Sequence, residues 1–303
     1  MRIVVHGQQA FGCSVLEKLL ERKEDVVAVC TAPDKDGRPM DPLKVLALEN
    51  GLPVHQPASW KTPEALALMQ SFNADICMMA YVLLFVPEAV RDAPTLGSFQ
   101  YHPSLLPMHR GPSSINWPIA MGSTKTGLSI FWPNDGLDEG PILMQKTCEI
   151  GADETLGDVY FKKLFPMGVD AMIESLDLVK EGNAPRIEQS IEEGSYESWF
   201  GKKEAKIDWN QSAQHIYNTI RAGNPQPGAW TIHGDTELKI FDAEVTSESG
   251  QPGLVLGIDD EGFTVAASDY SIRIKRVRAD AGKVPAPDYV ASSGLAIDDV
   301  LGN

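Results

Sequence analysis

A chain of 303 residues, 43% hydrophobic and 22% charged, can bury a sizeable core and is long enough for two domains. Its formal net charge of −16 weighs against a broad nucleic-acid footprint, which needs clustered cations to displace counterions. No apolar run approaches the roughly 18 residues of a membrane helix, residues 2–6 read as a strand and not a secretory leader, and the cysteines (Cys13, Cys30, Cys77, Cys148) lack Cys-x-x-Cys spacing, so a reduced cytoplasmic protein is expected.

Residues 3–6 form a short apolar strand ending at Gly7, and a helix follows over about 11–22. The loop between them lacks the Gly-x-Gly-x-x-Gly spacing of a dinucleotide site, so neither NAD nor FAD is expected. Residues 26–31 are a second apolar strand, with a loop over 33–42. Pro42 can open a helix to about residue 49, because the missing N–H costs nothing at the first helical position. Residues 64–72 read as helical, and 76–84 as a third core strand that runs into a loop at Phe85, Val86 and Pro87.

Two further apolar runs organise the middle of the chain. The first ends in Gln100-Tyr101-His102-Pro103 and enters a turn over 104–107; a helix over 113–121 separates it from the second, 128–132. A glycine-rich loop over 134–140 then carries Asp138. Strands buried on both faces belong to parallel sheets, which place their chemistry beyond the strands' carboxyl ends. His102 and Asp138 both stand at such ends, where an imidazole and a carboxylate facing one crevice can move a proton. The plain alternative is that His102 caps a turn and Asp138 is an ordinary loop aspartate.

Residues 156–181 read as a long helix, and 182–203 as irregular and polar. Beyond a helix over 212–222, five short runs (229–233, 238–245, 253–258, 263–267, 271–277) alternate with Gly/Asp turns, as in a small antiparallel barrel. Arg273, Lys275, Arg276 and Arg278 form a basic cluster there, and the adjacent Lys275 and Arg276 break the alternation as a bulge does. The tail after Lys283 reads as loosely ordered. The expected architecture is α/β: a doubly wound parallel sheet over 1–190, a linker over 191–205 and an antiparallel barrel over 206–303.

The residues from Tyr101 to Pro107, His109-Arg110-Gly111, and Gly136-Leu137-Asp138-Glu139-Gly140 resemble the folate-dependent formyltransferases. Together with Pro33-Asp34, Phe131-Trp132 and Pro227 to Trp230, they are nearest the hydrolase domain of 10-formyltetrahydrofolate dehydrogenases, a branch of that family that includes methionyl-tRNA formyltransferase-like enzymes. The resemblance covers essentially the whole chain. It implies a Rossmann-like catalytic domain, a carboxyl-terminal domain similar to an oligonucleotide-binding barrel, and 10-formyltetrahydrofolate as co-substrate with tetrahydrofolate as product. It maps the catalytic histidine and aspartate onto His102 and Asp138, and an oxyanion-steadying asparagine onto Gln100, a departure by one methylene. It sets the folate slot at 81–86 and 134–138, with Tyr81, Leu83, Phe85, Val86, Asn134 and Asp135 as contacts; apolar residues at 82–86 equally suit a strand end packed in the core. It makes Arg110 a support for the 104–107 turn. Water is the acceptor implied, with an amine (methionyl-tRNA or an amino sugar) or a weakly catalytic folate binder as alternatives; a tRNA acceptor is disfavoured by the short, charge-balanced 33–39 segment. His6, His55 and His233 lack ligating partners at metal spacing, so no metal is expected.

Overall fold

The computed structural model describes residues 1–279 and 282–302. Its backbone contacts gather into two compact units. The first comprises Met1–Gly111, Gly127–Cys148 and Lys163–Tyr196; the second comprises Pro112–Thr126, Glu149–Lys162 and Glu197–Asn303.

The N-terminal half builds a seven-stranded sheet from β1 (Arg2–Gly7), β2 (Asp25–Cys30), β3 (Val54–His55), β4 (Ile76–Ala80), β5 (Ser98–His102), β6 (Lys125–Phe131) and β7 (Ile142–Glu149), in the order β3-β2-β1-β4-β5-β6-β7. β1 pairs parallel with β2 and β4, as do β2 with β3 and β4 with β5. Four helices precede β5: α1 (Gln9–Glu21), α2 (Pro42–Glu49), α3 (Pro63–Ser71) and α4 (Glu88–Arg91). Asp41 caps α2 and Thr62 caps α3, each accepting a backbone N–H and each followed by proline at the first helical position. Gly7 lets β1 end hard against β4, since a Cβ there would collide with Ala80 O.

Three expectations are corrected here. The strand expected over 76–84 stops at Ala80, because Tyr81 takes a φ of 69° that no strand accommodates. β3 and β7 were not foreseen; a two-residue edge strand carries no period, and β7 alternates too weakly beyond Leu143. The third concerns direction. β6 runs antiparallel to β5, with Gln100 opposite Phe131, Tyr101 opposite Ile130 and His102 opposite Ser129. The β5–β6 connection offers only the five-residue α5 (Asn116–Ala120), where a parallel return needs a full crossover. The sheet is therefore mixed, a common form when one edge is antiparallel.

The long helix expected over 156–181 is three pieces: α6 (Leu156–Val159), a π turn over Tyr160–Leu164 and α7 (Phe165–Lys180). α7 lies close on β5, where Gly168 leaves room for the rings of Phe11 and Tyr101.

In the second unit, α8 (Ala213–Ala222), capped by Ser212, packs on a sheet of β8 (Ala229–His233), β9 (Thr236–Thr246), β10 (Val255–Ile258), β11 (Phe263–Ala266), β12 (Ser271–Ala279) and β13 (Gly282–Pro285). Every pairing in it is antiparallel. The β9–β12 register slips around Arg276, which is the bulge the adjacent cations announced. The tail is not loose. It forms α9 (Ala286–Ser293), and its last residues join the two edges of the sheet: Gly302 N donates to Ile232 O on β8, and Leu301 N to Gly253 O beside β10. Leu295 and Leu301 are buried in this core, hydrophobicity that a Gly- and Asp-rich context conceals in the sequence.

Candidate active site

Side chains alternate along β5, so Ser98, Gln100 and His102 share one face while Phe99 and Tyr101 point to the other. His102 is buried, and its Nε2 lies 3.0 Å from the carbonyl of His109. A carbonyl only accepts, so Nε2 carries the hydrogen and the neutral ring presents Nδ1 as its basic atom. Nδ1 faces Asp138 Oδ2 at 3.7 Å, beyond direct hydrogen-bond range.

The surroundings fix both groups. His109, at a φ of 55°, donates its N–H to Ser195 Oγ at 2.9 Å, while Ser195 N–H bonds Pro107 O at 3.1 Å. Asp138 also takes a positive φ, 57°, and its Oδ2 accepts Gly111 N–H at 2.9 Å. Gln189 Nε2 bonds the carbonyls of Asp138 at 3.0 Å and Gly140 at 2.6 Å. Gly140 is required, because a Cβ there would collide with Trp132 O. β6 delivers Asp138 only to the far side of its own end; the 132–140 loop, so pinned, carries the carboxylate back to His102.

The role expected of Arg110 is corrected. The 104–107 turn is held by Ser129, whose hydroxyl accepts Leu106 N–H at 3.0 Å and donates to Ser104 O at 2.7 Å, and by Gln145 Nε2 on Leu106 O at 2.8 Å. Arg110 instead pairs with Glu139, next to Asp138. A serine within an otherwise apolar strand was a signal for Ser129; Gln145, Gln189 and Ser195 left none, since they act through long-range contacts.

Gln100 is half-buried, on the His102 face, and its amide has no hydrogen bond to a described residue. In-register pairing aligns it with Met79 and, one strand further, His6. Above that row, Tyr81, Leu83 and Phe85 stand at the surface, 41, 63 and 52% exposed, with Lys61 Nζ 5.1 Å from the centre of the Phe85 ring; Val86 is buried. Asn134 is exposed and folds its Oδ1 onto Gly136 N–H at 2.9 Å. Asp135, beside it, accepts from Arg91 Nη2 at 2.9 Å, a partner that a short polar helix end did not announce. Among the described residues no group of three or more His, Cys, Asp or Glu could hold a metal ion, and no helix is long and apolar enough to cross a membrane. Cys30 and Cys77 are buried in the sheet, and burial pushes the Cys77 thiol up to about 12.

Residues 1–176 match the family described as Formyl transferase, and residues 200–293 match Formyl transferase, C-terminal domain. The cytosolic 10-formyltetrahydrofolate dehydrogenase of Xenopus tropicalis is 38% identical over 98% of this chain and 35% of that protein. The chain thus spans about a third of the dehydrogenases it matches. The methionyl-tRNA formyltransferase of Geotalea daltonii is 34% identical over 100% of this chain and 99% of its own length. Among solved structures, HypX from Aquifex aeolicus in complex with tetrahydrofolic acid superposes with a TM-score of 0.69 at 18% identity, covering 99% of this chain and 48% of that one. WlaRD, a sugar 3N-formyl transferase, gives a TM-score of 0.69 at 18% identity, covering 93% and 98%. At such identities the likeness is one of fold.

Proposed function

The chain belongs to the formyl transferase family, and from that premise we propose that it transfers the formyl group of 10-formyltetrahydrofolate to water, in the cytoplasm, releasing formate and tetrahydrofolate. The observation that carries this reading is the His102–Asp138 pair, 3.7 Å apart with the opposite ring nitrogen occupied by a carbonyl. Nδ1 and Oδ2 can then share one hydrogen-bonding partner, an attacking water, between them. As the water oxygen bonds to the formyl carbon, its proton passes to Nδ1. The carbonyl π pair moves onto oxygen, where the Gln100 amide, free and on the same strand face, is a candidate donor. Collapse breaks the bond from carbon to N10, which takes the proton back from Nδ1. Asp138 favours the imidazolium that forms between these steps.

The surface residues Tyr81, Leu83 and Phe85 suit a flat pterin, and the 134–138 loop would supply its polar edge. The catalytic domain is assigned to 1–190, with 191–205 linking it to the 206–303 domain. Water as acceptor is supported by similarity to the dehydrogenases over nearly the whole chain and by Gln100. The basic cluster of the second unit adds support against a polyanionic acceptor, because Arg273 pairs with Asp259 and Glu261, and Lys275 with Glu244. Transfer to an amine is the second reading, favoured by end-to-end alignment with a methionyl-tRNA formyltransferase.

Incubation with 10-formyltetrahydrofolate separates the two. Formate and tetrahydrofolate released without an acceptor support hydrolysis. Turnover only on adding methionyl-tRNA or an amino sugar supports transfer, and no turnover under either condition rejects both.

A further inference from the structure

We infer that Arg91 is a positioning residue for the folate: one buried guanidinium that sets the spacing of the two loops between which the pterin is proposed to lie. This rests on the reading of those loops as the folate slot. Arg91 ends α4 and is 4% exposed. Its Nη1 donates to Val86 O at 2.7 Å, closing the 81–86 loop at its root. Its Nη2 donates to Asp135 Oδ1 at 2.9 Å, in the 134–138 loop. Its own carbonyl accepts Ser98 Oγ at 2.6 Å, on the strand that carries Gln100 and His102. One residue thus hydrogen-bonds both proposed walls of the slot and the strand at its floor.

Burying a guanidinium is costly unless its hydrogens are used, and an apolar side chain would fill the end of a helix at lower cost. Nε has no partner, so the charge is not present to complete a saturated network. Its two used donors leave one planar group in a fixed fork, which holds Val86 O and Asp135 at a set separation. The Asp135 side chain is 67% exposed and, without that fork, would be an unrestrained loop carboxylate. The catalytic pair is held separately, by His109 O, Gly111 N–H and Gln189. Loss of Arg91 should therefore act on binding more than on chemistry, because a slot of preset width spares the ligand the cost of ordering it.

The test measures the Kd of 5-formyltetrahydrofolate by calorimetry, and KM and kcat with 10-formyltetrahydrofolate. Arg91→Met should raise Kd and KM about tenfold, equivalent to about 1.4 kcal/mol, with kcat changed less than about threefold. Asp135→Ala should move the same constants by a smaller factor, and Arg91→Met/Asp135→Ala should be no worse than Arg91→Met alone. Arg91→Lys should not rescue, because an ammonium lacks the fork. A residue that only stabilised the fold would lower the unfolding midpoint and leave Kd and KM alone; that outcome, or a fall confined to kcat, overturns the proposal. If Arg91→Met does not fold, Asp135→Ala carries the test from an exposed position, and wild-type Kd and KM in that variant overturn the clamp. Wild-type protein that binds no folate removes the functional reading itself, and the clamp with it.

Discussion

The two ring nitrogens of His102 have different partners, and the difference assigns their tasks. Nε2–H is fixed on a backbone carbonyl, which no side-chain substitution nearby removes, so the proposed proton transfer falls to Nδ1, on the Asp138 side. His102→Ala and Asp138→Ala should each lower turnover by roughly two to four orders of magnitude with the fold intact by circular dichroism. Near-normal turnover in either folded variant removes that residue from the mechanism. Gln100 is the sharper case. Removing an oxyanion donor costs roughly 10²–10³ in rate, so Gln100→Leu should be strongly impaired if the amide reaches the oxyanion and nearly silent if it only packs. Gln100→Asn should raise the ratio of formylated amine to free formate at fixed acceptor concentration, by retracting the donor one methylene to where the transferring relatives are expected to hold it. An equal or lower ratio means this position does not choose the acceptor. At this scale the sequence offered His102 and Asp138 as candidates mainly through the family resemblance, and the fold sets them 3.7 Å apart, while the period-two alternation of β5 puts Gln100 on the His102 face. What it could not display was the second row of supports, Gln145, Gln189 and Ser195, each placed by the fold and not by its neighbours in sequence.

Elements divide along the same line between local and distant causes. α2 spans the residues expected of it, because Asp41 and Pro42 are start signals written in adjacent positions. β8 and the bulge in β12 were legible for the same reason, through turn residues and broken alternation. The direction of β6 was not, since an apolar run of five residues reads alike in parallel and antiparallel pairing; the deciding fact is how little helix the β5–β6 connection contains. The tail failed for another reason. Its strand-like contacts are four backbone hydrogen bonds spread over β8, β10 and their margins, formed by residues flanked by Gly and Asp. Leu301, 2% exposed, anchors that closure. Leu301→Ala should destabilise the second unit by about 2–3 kcal/mol, as a buried leucine truncated to alanine does elsewhere. The measurement is a denaturant midpoint shift, read with hydrogen exchange at Val255 and Gly302, whose amides should lose protection first. An unchanged midpoint would mean the tail lies on the sheet without closing it.

Stability of the whole molecule against acid is set in part by a histidine that the proposed chemistry does not use. His6 is the penultimate residue of β1, the strand third from one edge of the seven-stranded sheet, with its ring 4.7 Å from that of Trp60 and its Nδ1 without a partner among the described residues. Burial alone pushes its pKa down to about 3, against 6.5 for the unfolded chain. The unfolded state therefore binds a proton between those values and the folded state does not, so stability must rise with pH across that window. It is undiminished above about pH 6.5 and falls as the solution is acidified toward pH 3, by up to about 1.4 kcal/mol per pH unit. At pH 5 the loss is about 2 kcal/mol, a large share of the 5–15 kcal/mol typical of a domain. His6→Gln cannot be protonated there, and the other five histidines contribute equally to both proteins. The urea midpoint should thus fall more steeply from pH 7.5 to pH 5 in the wild type than in His6→Gln, even if the variant is less stable at pH 7.5. Equal falls would show that the acid sensitivity lies in other groups, such as the paired carboxylates that acid also discharges, and that His6 gains its proton in the fold more readily than its burial implies.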